Sequence, residues 1–178
     1  MIKAITLGLM TLIFLSGLGF AEVSGLGASG GILIPVLQDD QESGYTFNVK
    51  ARFKFLGPVA MEPNVSFSGL GNKDLAGVGS RDGFAITHYG VELTLGGGLG
   101  QPGIRPFFLI GGGVYNMKRD GDLTTNKSGW SFGAGSTIGL ALFELDLRGR
   151  FIIISTDNSG SKKAAAITAG VTYYFGRE

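Results

Sequence analysis

The fold is decided by one stretch of the sequence, WSFGAGSTIGLALFELDLRGRF, which runs from Trp130 to Phe151. From Trp130 to Leu140, apolar or aromatic residues occupy almost every second position, and the positions between them are small or polar. After a turn near residues 141–143 the alternation resumes, with apolar residues at 145, 147 and 151 opposing charged residues at 144, 146, 148 and 150. A period of two over this length predicts β-strands rather than a helix.

The same alternation recurs along most of the chain. It predicts further strands at 45–56, 59–68, 84–96 and 165–175. Segments 22–36 and 104–117 are also predicted strands, but apolar residues on both faces leave the register of 104–117 open. Pro63 interrupts one strand, where a proline usually marks an edge or a bulge. The pattern predicts an all-β fold, an eight-stranded antiparallel up-and-down transmembrane β-barrel.

The composition excludes several other classes of protein. The 178 residues include 32 glycines and no cysteine, and the formal net charge is +1. Abundant glycine without a collagen repeat argues against a helical protein. The lack of cysteine excludes disulfides, thiolate metal sites and a lipoprotein anchor. A nearly neutral chain gives no reason to expect nucleic acid as a partner.

The first 21 residues have the pattern of a secretory signal peptide. Lys3 supplies a positive charge, residues 5–18 are apolar, and Gly19-Phe20-Ala21 is a small-residue cleavage site. The apolar run is too short for a spanning helix, so an N-terminal membrane anchor is the weaker alternative. We therefore predict a signal peptide at 1–21 and a single barrel domain at 22–178.

The central question is which face of the sheet points inward. A soluble, lipocalin-like periplasmic binding barrel would have to pack about a dozen aromatic rings inside, although eight strands enclose only a narrow interior. It would also leave many glycines bare on the solvent side. In the opposite orientation small residues fill the lumen and the aromatic residues near strand ends form interfacial girdles. We favour the lipid-facing arrangement and keep the soluble barrel as the alternative.

The predicted connections alternate in length, as they do in outer-membrane barrels. Those near 56–58 and 141–143 are short and would be periplasmic, together with both chain ends. The longer polar connections would be extracellular; they are 37–44, 69–83, 118–128 and 156–163. The connection 96–103 is longer than expected for a periplasmic turn.

With this orientation the charged residues of the strands point into the lumen. Buried charges must be paired or hydrated, and the two signs nearly balance, so we predict a structural network of polar and charged residues that plugs the barrel. Its predicted members are Lys50, Arg52, Lys54, Glu62, His88, Glu92, Arg105, Glu144, Asp146, Arg148 and Arg150.

One stretch points to a family. GIRPFFLIGGGVY, residues 103–115, resembles the Arg-Pro-aromatic, glycine-rich strand of the outer-membrane β-barrel domain family, small porin-like proteins of Gram-negative envelopes. The resemblance implies a monomer in the cell outer membrane, with membrane lipid and the barrel-insertion machinery as partners. Such chains usually end on an aromatic residue, whereas Gly176-Arg177-Glu178 follow Phe175 here.

The sequence contains no recognisable catalytic centre, and we expect neither a cofactor nor a bound metal. His88 is the only histidine, and Thr87 and Tyr89 flank it without the serine used by outer-membrane lipid A acyltransferases and deacylases. Three functions stay open: a structural or surface-interaction protein whose loops contact an extracellular partner, a narrow passive channel, and a lipid A-modifying enzyme. We predict the first, a non-enzyme, because a lumen of eight strands is filled by side chains.

Overall fold

The described part of the chain is built from β-strands. The computed structural model describes residues 24–36, 41–75, 79–81, 83–98, 101–119, 124–140, 142–156 and 160–175, so the predicted signal peptide lies outside the described residues. The strands are β1 (Ser24–Val36), β2 (Glu42–Leu56), β3 (Val59–Gly71), β4 (Lys73–Leu75), β5 (Gly79–Arg81), β6 (Phe84–Gly96), β7 (Gly103–Arg119), β8 (Thr125–Leu140), β9 (Phe143–Ser155) and β10 (Ser161–Phe175). Within the described ranges no helix has the length and apolar character needed to span a bilayer.

Eight of these strands close into a barrel in the order β1-β10-β9-β8-β7-β6-β3-β2. Every neighbouring pair is antiparallel, and β1 pairs with both β10 and β2, which closes the ring. The predicted eight-stranded up-and-down topology is confirmed. The remaining two strands, β4 and β5, form a short hairpin inside the predicted loop 69–83. We call the end where β1 begins and β10 finishes the terminal end, and the opposite end the loop end.

Pro63 occupies the middle of β3 without breaking the barrel. The register between β2 and β3 runs to the Lys50–Asn64 pair and resumes at Phe53–Met61, whereas Pro63 stays paired with Val91 of β6. Proline has no backbone N–H to donate, so a short gap in the ladder on the β2 side is the expected consequence. The conflict that the sequence posed is therefore resolved by a local interruption of one ladder.

The outer surface of the barrel is apolar. Aromatic pairs lie on it: Trp130 and Phe132 stack with ring centroids 5.6 Å apart in the loop-end half of β8, and Phe143 and Tyr173 lie 5.2 Å apart at the terminal end. Exposed aliphatic side chains lie between the two groups. An apolar band between aromatic girdles is what transmembrane barrels turn toward lipid. Phe53 has the outward parity but is buried.

The structure also settles the register of β7. Phe107, Leu109, Tyr115 and Met117 point inward and are buried, whereas the residues between them are mostly exposed. Aromatic and aliphatic side chains therefore enter the lumen from this strand. The interior is less uniformly small and polar than the sequence predicted.

Candidate functional site

Eight charged side chains meet inside the barrel and form what we call the lumen cluster. Four are basic and four acidic, so their formal charges cancel, and each is at most 6% exposed. Burial of so many charges is tolerated only where partners of opposite sign are in direct contact. The members are Lys50, Arg52, Glu62, Glu92, Glu144, Asp146, Arg148 and Arg150.

Arg148 of β9 lies at the centre of the lumen cluster. Its Nη1 atom lies 2.9 Å from Oε2 of Glu62 and 3.1 Å from Oε2 of Glu92, while its Nε donates to Oδ1 of Asp146 at 2.8 Å. The guanidinium also lies 5.4 Å from the centre of the Phe107 ring, within cation–π range. One side chain thus contacts three carboxylates and an aromatic face.

Further pairs extend the cluster toward β2 and along β9. Lys50 Nζ lies 2.8 Å from Oδ2 of Asp146 and 3.9 Å from Oε2 of Glu62. Arg52 Nε lies 3.0 Å from Oε1 of Glu62, and Arg52 also forms an ion pair with Glu144. The Tyr174 hydroxyl donates a hydrogen bond to Oε1 of Glu144 at 3.2 Å. The contacts of Glu62 with Lys50 and Arg52 join the neighbouring strands β2 and β3. The pairs of Lys50 with Asp146 and of Arg52 with Glu144 join β2 to β9, and Glu62 of β3 lies four strands from Arg148 of β9, so these three pairs cross the lumen.

Arg150 completes the acidic–basic pairing. It donates from Nη1 to Oε1 of Glu92, so that Glu92 is shared between Arg148 and Arg150. No group of three metal-ligating side chains converges anywhere in the described part of the chain. The arrangement is that of a closed, charge-balanced plug.

The first residues of the connection between β6 and β7, residues 96–98, lie beneath the plug at the terminal end. Gly96 and Gly97 have φ angles of +97° and +77°, a region that residues with a Cβ rarely adopt. The Gly98 N–H donates to the hydroxyl of the fully buried Thr137 at 2.9 Å. A Cβ at Gly97 would lie 2.8 Å from Nη2 of Arg52. Residues 96–98 therefore cover the terminal end of the lumen.

His88 lies on the loop side of the cluster. Its ring stacks on Tyr115, with centroids 4.2 Å apart, and its Nδ1 lies 3.4 Å from the Ser66 hydroxyl. Ser66 and His88 are direct cross-strand partners on β3 and β6, 22 residues apart, so sequence spacing could not have revealed the pair. The adjoining cavity is only about 20 Å³, enough for a single water molecule.

Apolar side chains fill the lumen above His88. A buried hydrophobic cluster occupies the loop-end half; it consists of Leu33, Tyr115, Met117, Ile152, Ile154 and Ala166. At the mouth, the Lys162 ammonium of β10 lies 3.7 Å from the ring centre of Phe84 on β6, four strands away around the barrel. The lumen is therefore filled by a charged layer, a polar layer around His88 and an apolar layer.

The structure brings together eight of the eleven predicted lumen residues. His88 is buried next to them, and Lys54 is half-buried further along β2. The placement of Arg105 in the network was wrong. It has the inward parity, but it is only the third residue of β7, at the terminal end of the barrel, and its side chain is exposed.

The chain is similar to several solved outer-membrane barrels. No protein-family model matches it, and neither does any of the curated proteins. Neisserial surface protein A is 12% identical with a TM-score of 0.65, over 85% of this chain and 96% of that chain. Ail, the attachment invasion locus protein of Yersinia pestis, is 16% identical with a TM-score of 0.55, over 86% and 98%.

The N-terminal β-barrel domain of Pseudomonas aeruginosa OprF gives 15% identity and a TM-score of 0.54, over 87% of this chain and 98% of that chain. At such identities the likeness concerns the fold. The chain thus has the fold of the small eight-stranded outer-membrane β-barrels, as the resemblance in its sequence predicted.

Proposed function

We propose that this chain is a non-enzymatic, monomeric barrel of a Gram-negative outer membrane that serves as a closed scaffold for surface-exposed loops. The observation that supports this most directly is the filled lumen. Charge-balanced ion pairs cross it, a glycine-rich turn covers its terminal end, and apolar side chains occupy its loop end. The exposed apolar exterior suits contact with membrane lipid.

A closed scaffold does not conduct ions. In planar lipid bilayers, the protein purified from membranes should give no conductance steps above the lipid background, since eight-stranded barrels are filled by their own side chains. A sixteen-stranded porin reconstituted in the same way provides the positive control. Reproducible steps from the purified protein, retained after a second purification, would favour the passive channel instead.

The proposed orientation can be tested on intact cells. An epitope tag inserted at residues 157–159, between β9 and β10, should be labelled by antibody on intact cells, because the loop end would face outward. The matched control is the same tag at the exposed turn Gly57-Pro58, which should be labelled only after the outer membrane is permeabilised. Reversed labelling would refute the orientation, and a soluble periplasmic protein lacking the heat-dependent gel shift of membrane barrels would revive the lipocalin-like alternative.

The contact between Ser66 and His88 suggests an alternative function, the enzymatic modification of lipid A. Two observations argue against it: the adjoining cavity has no room for a lipid substrate, and Glu92, the nearby carboxylate, is committed to Arg148 and Arg150. Overproduction should leave the mass spectrum of cellular lipid A unchanged, for the wild-type protein and for His88→Gln alike. A lipid A species that appears with wild type and disappears with His88→Gln would contradict the assignment.

The partners proposed from this function are external to the barrel. Insertion by the barrel-assembly machinery and contact with outer-membrane lipid follow from the proposed location. The two neighbours whose names describe a surface protein and an attachment invasion locus are barrels of the same fold. By analogy, we propose that the loop end of this chain contacts an extracellular partner.

A further inference from the structure

A row of outward-facing residues crosses four neighbouring strands at the loop end. Tyr45 of β2 pairs with Gly69 of β3, Gly69 pairs with Ala85 of β6, and Ala85 pairs with Lys118 of β7. The two outer members are large and the two inner ones are small. The row therefore forms a trough, bounded by an aromatic ring on one side and by a lysine on the other, which we call the rim trough.

The rim trough is much roomier than the cavity next to His88. It offers about 250 Å³ of open space, and its floor and edges are completed by Leu70, Asn72, Gly83 and Phe84. The Tyr45 ring is 67% exposed and leans over Gly69, where a Cβ would come within 2.8 Å of it. The glycine thus lets the ring form one wall of the trough.

The trough presents hydrogen-bond donors and a positive charge. Lys118 is exposed and forms no ion pair with any carboxylate of the described residues. Asn72 accepts a hydrogen bond from the Gly83 N–H at 2.8 Å through Oδ1, which leaves its amide N–H groups available. Among described acidic side chains, Glu42 is the nearest in register, one row beyond at the Gly71 pair, where it packs on that glycine. The chemistry of the trough suits an anion with several acceptor oxygens.

The next row toward the membrane centre has a different character. Phe47 pairs with Phe67, and both rings are nearly half exposed on the outer surface. On the same row, Thr87 of β6 pairs with Asn116 of β7. A molecule seated in the trough would meet donors at the rim and aromatic rings below it. Such a sequence of contacts matches an amphiphile with an anionic headgroup and acyl chains that point into the membrane.

Resting on the proposed function, in which the loop end faces outward, we propose that the rim trough binds the phosphorylated headgroup of a lipid in the outer leaflet. Lys118 pairs with the phosphate, Tyr45 and Asn72 contact the remainder of the headgroup, and acyl chains lie over Phe47 and Phe67. Lysine and tyrosine at the membrane boundary are the side chains that reach headgroups while keeping their apolar parts in the membrane. The location of the trough on the outer wall, at the upper edge of the apolar band, favours a lipid over an anion from solution.

The test is a lipid titration of the protein purified from membranes, in mild detergent, followed by native mass spectrometry. Diphosphorylated lipid A is the probe, and the same lipid without its phosphates measures the phosphate contribution. Wild type should bind one probe molecule saturably and prefer it over the dephosphorylated lipid. Lys118→Gln should weaken binding about tenfold, the size of one lost charge-assisted hydrogen bond. Ala85→Leu, which fills the trough, should weaken it similarly.

Lys163→Gln is the matched control, because Lys163 also has the outward parity near the loop end but lies on β10, on the other side of the barrel. It should leave the affinity unchanged. Equal binding by wild type and Lys118→Gln would overturn the proposal, as would an equal loss in Lys163→Gln, which would indicate general charge attraction. Competition by millimolar inorganic phosphate would overturn the lipid assignment and identify a site for a soluble anion. These outcomes are independent of the conductance and labelling results.

Discussion

Replacement of Arg148 by methionine is expected to destabilise the folded barrel by about 3–5 kcal/mol, the usual cost of removing one partner of a buried ion pair. Arg148 contacts the carboxylates of Glu62, Glu92 and Asp146. Without it the lumen cluster holds four acidic and three basic groups, so the buried carboxylates have one counter-charge too few. Urea unfolding in lipid vesicles measures the effect, with the fluorescence of Trp130, the single tryptophan, as the signal.

The structure supplies a matched control for Arg148. Arg105 has the same side chain and the same inward parity, but it is exposed at the terminal end. Arg105→Met should therefore change the free energy of unfolding by no more than about 0.5 kcal/mol. Adding Glu62→Gln to Arg148→Met should recover part of the lost stability, because it restores the balance of charge. Equal effects at positions 105 and 148 would mean that the ion pairs do not stabilise the barrel.

Gly31→Ala is expected to weaken the seam between β1 and β10 that closes the ring. A Cβ at Gly31 would lie 1.9 Å from the carbonyl oxygen of Ile167 and 2.7 Å from the Cα of Thr168. Both obstacles are backbone atoms, which cannot rotate away, so the strands must separate. Overpacking of this kind costs about 3 kcal/mol, and the fraction of protein that shows the heat-dependent gel shift should fall accordingly.

Gly30, the neighbouring residue, provides the comparison for Gly31. It faces outward, and its closest contact for an added Cβ is the carbonyl oxygen of Thr46 at 3.9 Å. Gly30→Ala should fold like wild type, although it changes intrinsic strand propensity in the same way. If the two alanine variants unfold at the same urea concentration, propensity rather than contact between β1 and β10 explains the effect.

The alternation of residue character was sufficient to predict the architecture. The alternation of charged residues with leucines between Glu144 and Phe151 placed β9 correctly. One face of a transmembrane strand contacts lipid and is apolar, whereas the other face lines the lumen and is polar. The same reasoning located eight members of the lumen cluster. It could not give their pairing, since contacts across a lumen depend on strand order and stagger.

The features that the sequence did not predict correctly have identifiable physical causes. Strand β7 is apolar on both faces, so a period of two could not assign its sides or reveal the inward Tyr115 and Met117. Parity placed Arg105 in the lumen but could not show that its side chain, so close to the start of β7, is exposed. The contact of Ser66 with His88 joins different strands and leaves no mark in local sequence.

The lumen cluster also constrains the order in which the chain can reach its final state. Its cross-lumen contacts join residues far apart in sequence: Lys50 and Asp146 are separated by 96 positions, and Glu62 and Arg148 by 86. In a partly formed sheet that lacks β9, Lys50 lacks its 2.8 Å contact with Asp146, and Glu62 and Glu92 lack their contacts with Arg148. A half-assembled barrel would therefore keep unpaired charges that must remain hydrated, which opposes its full entry into lipid. Complete pairing of the buried charges on the early strands therefore requires β9, which is synthesised near the end of the chain.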